Sequence, residues 1–536
     1  MATQVDAVAA PSPKASPLAS HRSNPWFNLL AAAVVVVGII YAGYHLADDL
    51  SVVRDTRIFP FVLLGIALFI ALGFEFVNGF HDTANAVATV IYTHSLPPNF
   101  AVIWSGAFNF IGVLISSGAV AFGIVSLLPV ELILQVGSGA GFAMVFALLI
   151  AAILWNLGTW YFGLPSSSSH TLIGSIMGVG LMNQIMAAGS AGGTSGVDWG
   201  QATKIGESLL FSPIVGFSLA AVLLLVAMKL IPIPSLYREP KGDQPPPAWI
   251  RGLLVLTCTG VSFAHGSNDG QKGMGLIMLI LIGTVPTAYA LNRTMHERDV
   301  SQFVQISTQA QTVLGRYASG PAPADPHAAA IDIVRARSVT PETLPALVAL
   351  SATIQRQVDE FHSLAKVPPG DMINIRNEMY LVSEGLRFLG KSTAIPVTDA
   401  DKQVLGQYKK QLDNSTKFIP PWVKVAVAIA LGLGTMIGWK RIVVTVGERI
   451  GKTHLTYAQG ASAELVAMLT IGAADMYGLP VSTTHVLSSG VAGTMVANRS
   501  GLQWSTVRNL LMAWVLTLPV SIALAGSLYW LLRHLL

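Results

Sequence analysis

The sequence predicts an all-α polytopic membrane protein built from two related halves, with discontinuous helices and a small helical insert outside the membrane. Three observations predict it. Hydrophobic residues make up 52% of the 536 and charged residues 11%, with a mean hydropathy of +0.58, whereas a soluble globular chain carries about 25% charged residues. The apolar residues arrive in blocks long enough to cross ~30 Å of hydrocarbon, which takes about 20 residues. Two polar motifs, each set in apolar surroundings, also occur twice in the same order.

Residues 1–25 are polar, rich in Ala, Ser and Pro, and read as a disordered tail. Residues 26–58 hold an extra first span, Trp26–Leu46, and a loop. This apolar block is too long for a signal-peptide core and no small-residue cleavage site follows it. Residues 59–233 form the first transmembrane repeat, with spans at Phe59–Val77, Phe100–Val125, Gly139–Phe162 and Leu209–Ile231. Between these lie two shorter or interrupted pieces, Phe80–Tyr92 and Ser169–Ile185. A short linker at 234–249 lies in the loop Lys229–Arg251, which holds the basic residues Lys229, Arg238, Lys241 and Arg251 and so reads as cytoplasmic. Residues 250–290 open the second repeat with the interrupted piece Leu253–Ala290. Residues 419–536 complete it with Trp422–Gly438, Ser462–Tyr477, Ser482–Ala497 and Leu510–Leu532. Between them, residues 291–418 are rich in charge, and Leu344, Leu347, Leu350 and Ile354 recur at helical spacing. This is the pattern of an amphipathic helical insert.

Several function classes are excluded. The net charge of +4 is spread between apolar blocks with no basic stripe, which argues against nucleic-acid binding. A single cysteine, Cys258, excludes an internal disulfide and a cysteine-based zinc site. No cofactor-binding motif is present.

The first duplicated motif runs Asn78-Gly79-Phe80-His81-Asp82-Thr83-Ala84-Asn85 and returns as His265-Gly266-Ser267-Asn268-Asp269-Gly270-Gln271-Lys272. The second is Gly163-Leu164-Pro165-Ser166-Ser167-Ser168-Ser169-His170, returning as Gly478-Leu479-Pro480-Val481-Ser482-Thr483-Thr484-His485. The two copies of the second motif lie farther apart than those of the first by about the length of the polar insert. The second half therefore equals the first with the insert spliced in.

In the Gly-Leu-Pro motif, proline ends one helix and Ser or Thr caps the next. The new half-helix aims unpaired N–H groups and its positive dipole end at the break. Hydroxyls of Ser168, Ser169, Thr483 and Thr484 add donors there, a set that suits a tetrahedral oxyanion. In the Gly-x-x-Asp motif, Asp82 and Asp269 sit in apolar sequence, where a bare carboxylate costs at least ~2.5 kcal/mol. Each calls for a cation, a proton or a donor-rich pocket. Gly79 and Gly266 read as structural glycines at chain breaks, where they allow tight turns and close backbone approach. Asn85 and Asn268 read as neutral oxygen ligands or as donors to the anion, and Lys272 either offsets the carboxylates or attracts the anion. His81, beside Asp82, is the candidate proton carrier, and Glu75 and Glu464 are further acids for the coupling path. His170 and His485 either join proton transfer or merely hydrogen-bond their breaks, and Asp475, nearer a segment end, reads as satisfied at the interface.

The two copies of the aspartate motif resemble the duplicated signature of the inorganic phosphate transporter (Pit) family. Gly478-Leu479-Pro480-Val481-Ser482-Thr483-Thr484-His485 and Gly434-Thr435-Met436-Ile437-Gly438-Trp439-Lys440-Arg441 resemble further hallmarks of it. The Phe80-His81-Asp82 and Gln271-Lys272-Gly273 variants are closest to the bacterial low-affinity branch. The resemblance implies two inverted repeats and secondary active import of phosphate through the inner (plasma) membrane. It further implies coupling to protons, with a metal–phosphate complex as cargo, magnesium being one such metal held at Asp82 and Asp269. Its partners would be phosphate and lipid, and a homo-oligomer is compatible with it. Asn109 stands where sodium-coupled relatives often carry Glu, which weighs against a sodium-coupled symporter. The extra span Trp26–Leu46 lies outside the usual core.

Three other readings compete. A membrane hydrolase would use Ser168 or Ser169 with His170, but neighbouring residues on a helix point about 100° apart, a poor dyad. A passive channel also fits paired broken helices. A carrier of another tetrahedral anion such as sulfate fits the same cage.

Overall fold

A computed structural model of the chain describes residues 25–51, 58–82, 84–188, 196–240, 244–294 and 297–535. The tail at 1–24 lies outside them, as does the side chain of Asn85. The first part of the chain folds as α1 (Pro25–Leu50), α2 (Ile58–Asp82), α3 (Ala84–Tyr92), α4 (Pro98–Ile115), α5 (Ala119–Val125), α6 (Val130–Leu134), α7 (Gly139–Tyr161), α8 (Ser168–Met186) and α9 (Trp199–Leu230). It continues with α10 (Ala248–Thr284), α11 (Pro286–Tyr289), α12 (Glu297–Tyr317), α13 (Pro326–Ala336), α14 (Leu344–Phe361), α15 (Met372–Leu389) and α16 (Asp399–Thr416). The last helices are α17 (Pro421–Ile437), α18 (Lys440–Val444), α19 (Tyr457–Met476), α20 (Thr483–Ala497) and α21 (Trp504–Leu535).

Among the described residues, seven helices are long and apolar enough to cross a membrane. The chain is a multi-pass membrane protein. Its outside is apolar: Leu210, Phe211, Ile214 and Val222 on α9 and Met512 and Val515 on α21 are exposed, as lipid-facing side chains are. Its inside carries the polar residues, among them Glu75, Asp82, Asp269, Lys272 and Glu464, all buried. α1 lies along α17, with Gly38 against Ile429, and is largely exposed on its other sides.

The two halves are interlaced. α8 packs on α21 and α20 on α9, so each short helix that starts at a Gly-Leu-Pro motif is covered by a long helix from the other half. α2 packs on α17 and α10 on α4. These two pairings share one device. A Cβ on Gly79 would lie 2.1 Å from the carbonyl oxygen of Leu431, and one on Gly266 would lie 2.1 Å from that of Asn109. The backbones meet where only glycine fits, the small-residue packing of membrane helices.

That contact corrects the sequence reading of these glycines as chain breaks. Gly266 sits inside the unbroken α10, and Gly79 lies within α2, before its end at Asp82. The stretch Leu253–Ala290, expected to be interrupted, is continuous from Ala248 to Thr284. Glycine within a membrane helix costs little when it gains close backbone contact, so a Gly-x-x-Asp pattern does not by itself break a span.

The insert, α12 to α16, packs through amphipathic faces; Leu344, Leu347, Leu350 and Ile354 are all buried. Arginines tie it to the membrane body. Arg335 Nε lies 2.9 Å from Glu131 Oε1, Arg387 Nη2 lies 2.8 Å from Asp198 Oδ2, and Arg337 donates to the Gly196 carbonyl at 3.0 Å. Asp198 also caps α9, accepting from the Gln201 N–H at 2.9 Å. Burial opposes its charge, but Arg387, the Gln201 N–H and Arg337 together hold its carboxyl below the usual range.

Gly266→Ala should destabilise the protein by about 1–3 kcal/mol, the cost of overpacking a close contact. Thermal unfolding in detergent measures it; an unchanged melting temperature would mean that the α4–α10 contact is looser than described.

Candidate functional site

The two Gly-Leu-Pro motifs adopt one local structure. α7 and α19 are each followed by a left-handed glycine, Gly163 at φ +66° and Gly478 at φ +65°, the usual way to stop a helix. The Leu164 N–H returns to the Thr159 carbonyl and the Leu479 N–H to that of Ala474, both at 2.9 Å. After Pro165 and Pro480, Ser167 Oγ accepts from the His170 N–H at 3.2 Å and Ser482 Oγ from the His485 N–H at 3.1 Å. The caps are thus Ser167 and Ser482, one residue earlier than the hydroxyls singled out in the sequence. Ser168, Ser169, Thr483 and Thr484 are left in the first turns of α8 and α20.

Three of those four hydroxyls point at aspartates. Asp82, at the end of α2, accepts from Ser168 Oγ and from Thr484 Oγ1, each at 2.5 Å, so a donor comes from each half-helix. Thr483 Oγ1 lies 3.5 Å from Asp269 Oδ2. Ser169 differs: its hydroxyl donates to the Val481 carbonyl at 2.7 Å, stitching one break to the other.

Asp269 lies midway along α10, with partners from its own helix face. Lys272 Nζ is 2.7 Å from Asp269 Oδ2 and 3.4 Å from Ser168 Oγ. His265 Nε2 is 3.3 Å from the same carboxylate oxygen. Because α10 is unbroken, positions 265, 269 and 272 are stacked at i, i+4 and i+7. That spacing is legible in the sequence once no break is assumed, and it is why His265 was missed as a site residue.

His265 Nδ1 meets Asn109 Oδ1 at 2.8 Å. An amide oxygen only accepts, so Nδ1 donates in this contact, which leaves Nε2 to face Asp269. A lone pair facing a carboxylate is favourable only with a proton or a metal cation between them. One carboxylate oxygen from each aspartate and a ring nitrogen of His265 lie within 4.8 Å of one another, all on buried residues, close enough to share one ion. At that separation two carboxylates repel by at least about 3 kcal/mol at an effective dielectric of ~20. The cluster thus selects for positive charge. Its donors, two carboxylates and one imidazole with an oriented second ring nitrogen, fit a divalent metal.

The remaining candidates fall in different places. His81 links Asp82 (Nδ1 to Oδ1, 3.3 Å) to the hydroxyls of Thr159 (Nε2, 3.1 Å) and Ser166 (3.4 Å), a polar chain leading away from the cluster. Glu75 lies beside α10 just past Lys272, accepting from the Gly273 N–H at 2.6 Å and from Asn78 Nδ2 at 3.2 Å. Asn268 Nδ2 donates to the Leu479 carbonyl at 3.1 Å and braces the second break. Glu464 stands apart, bonded to Thr89 and to Thr257. Thr257 lies about 18 Å along α10 from Asp269, at ~1.5 Å per residue. Asp475, expected to be satisfied at an interface, accepts from Ser267 at 2.6 Å and from Gln271 at 2.7 Å. His170 and His485 pack ring to ring at 4.6 Å, and His485 stacks on Trp514 at 4.1 Å. Neither arrangement prepares Ser168 or Ser169 as a nucleophile.

A model of the phosphate transporter family matches residues 78–525. The chain is 44% identical over 493 residues to the low-affinity inorganic phosphate transporter PitA of Escherichia coli strain K12, covering 88% of this chain and 96% of that protein. It is 41% identical over 511 residues to PitB of the same organism, covering 89% and 98%. Among solved structures, a sodium-dependent phosphate transporter aligns with a TM-score of 0.47 at 19% identity, covering 89% of this chain and all of that one. The relatives are named as transporters, not hydrolases.

Thr484→Ala and Ser168→Ala each remove a donor from a buried carboxylate, and each should lower stability by about 1.5–3 kcal/mol. Ser169→Ala, which removes only a neutral hydrogen bond, should cost about 1 kcal/mol. Detergent unfolding of the three variants checks this order.

Proposed function

Because this chain belongs to the phosphate transporter family, we infer that it imports inorganic phosphate across the inner (plasma) membrane, with Asp82 and Asp269 holding the compensating cation. One observation carries the reading. The Asp82 carboxylate receives hydroxyls from the first turns of both α8 and α20 while lying within an ion's reach of Asp269. The helix N-termini that would seat an oxyanion and the carboxylates that would seat a cation therefore share one buried place.

In this mechanism phosphate lies against the first turns of α8 and α20, where the helix dipoles favour an anion and the hydroxyls of Ser168, Thr483 and Thr484 turn to it once a cation holds the aspartates. A divalent metal travelling with it is held by Asp82, Asp269 and His265, which cancels charge that hydrocarbon would reject. His81 hands a proton between Asp82 and the Thr159–Ser166 hydroxyls, and Glu75 is a further buried acid for the coupling. The two halves, as inverted repeats, rock against each other to open the site to each side in turn. Proton coupling is favoured over sodium because Asn109 adds no acid, and its amide is engaged by His265.

Proteoliposomes test the reading. Radiolabelled phosphate should accumulate under an inward proton gradient with magnesium or manganese present, and the accumulation should collapse with a protonophore. Accumulation driven by a sodium gradient alone would replace proton with sodium coupling. Downhill equilibration only would make the protein a channel, and stronger uptake of sulfate would change the anion. Asp82→Asn should lower accumulation by at least about 100-fold, the effect of ~2.7 kcal/mol, with normal membrane insertion; near-normal uptake would sink the assignment. Thr484→Ala should raise the phosphate KM about tenfold, the equivalent of ~1.4 kcal/mol. Ser169→Ala, whose hydroxyl is turned to a backbone carbonyl, should raise it less.

A further inference from the structure

We propose that Lys272 is a tethered counter-ion that exchanges partners during the transport cycle, pairing with Asp269 when the carrier crosses without cargo and with the phosphate when it crosses loaded. The proposal rests on the phosphate-import reading above and adds a role for this one residue.

Lys272 is among the largest fully buried side chains of the protein. Its ammonium is 2.7 Å from Asp269 Oδ2 and 3.4 Å from Ser168 Oγ, the first residue of α8. It therefore stands between the carboxylate that would bind a cargo cation and the helix end that would bind a cargo anion. Lysine suits this position: its charge is compact, its stem flexible, and it needs no fixed bidentate geometry.

The cation cluster and the lysine compete for one carboxylate. Asp269 Oδ2 faces both Lys272 Nζ and His265 Nε2. A divalent metal held there must approach a carboxylate oxygen to about 2.0–2.6 Å, and a lysine ammonium in contact with the same carboxylate would repel it. Arrival of the metal therefore displaces Lys272, whose other hydrogen-bond contact is the hydroxyl at the start of α8. Departure of the cargo reverses the exchange. Two buried carboxylates without positive charge are costly in a low-dielectric interior, so a carrier without cargo needs a resident cation to reorient. Lys272 is on the same helix as Asp269, three residues on, and travels with it. The neighbouring acid, Glu75, is engaged by the Gly273 N–H and by Asn78.

Two fluxes distinguish this role from plain phosphate binding. Exchange of labelled internal for unlabelled external phosphate needs only the loaded carrier to cross, whereas net accumulation also needs the return without cargo. In proteoliposomes, Lys272→Met should lower the ratio of net accumulation to exchange at least tenfold relative to the parent protein, and Lys272→Arg should restore most of it. Lys272→Gln is measured alongside, so that a folding defect of the methionine variant does not decide the result. Parallel loss of both fluxes in the methionine and glutamine variants, or an unchanged ratio, overturns the proposal. A parent protein that neither accumulates nor exchanges phosphate would instead overturn the import reading on which it rests.

Discussion

Two carboxylates held out of water within an ion's reach of each other set the terms for the rest of this molecule. Asp82 and Asp269 repel, and neither has solvent to spread its charge. Every neighbouring feature answers that. Hydroxyls from both half-helices point at Asp82, a lysine and a histidine from α10 point at Asp269, and the positive ends of α8 and α20 converge on the same place. The left-handed glycines, the prolines and the Ser167 and Ser482 caps exist in matched form on both sides because each set must stop one helix and start the next.

The surrounding body is arranged to keep that cluster dry and in register. Buried polar side chains gather among apolar ones in the interior, and the exposed faces of the long helices are apolar. Where α2 meets α17 and α4 meets α10, glycine brings the backbones together. At the other end the insert grips the cap of α9 through Arg387 and Asp198. α9 in turn covers α20, whose first turn holds Thr483 and Thr484.

Much of this was legible in the residues. The membrane class, the duplication and the proximity of an oxyanion-suited hydroxyl set to two buried aspartates follow from composition, repeated motifs and the price of charge in hydrocarbon. Other features were hidden for identifiable reasons. Gly266 looked like a break because glycine weakens helices in water; within lipid it gained a backbone contact instead, and α10 ran on. That one misreading hid the 265–269–272 face and with it His265. Asn109, noted only as a missing acid, proved to be the group orienting that histidine, a relation between two helices that no local pattern carries. Glu464 resembled Glu75 in its apolar setting, yet the two have separate partners, since sequence context reports burial and not neighbours.

The interlacing of α8 with α21 and of α9 with α20 has a bearing on how such a chain is made. α21 leaves the ribosome long after α8, so α8, inserted much earlier, waits in the bilayer with its covering surface missing. Neither half can mature as an independent unit. A chain cut short before residue 504 would carry an uncovered α8, and quality control in the membrane would meet an unfinished protein rather than a half-active one.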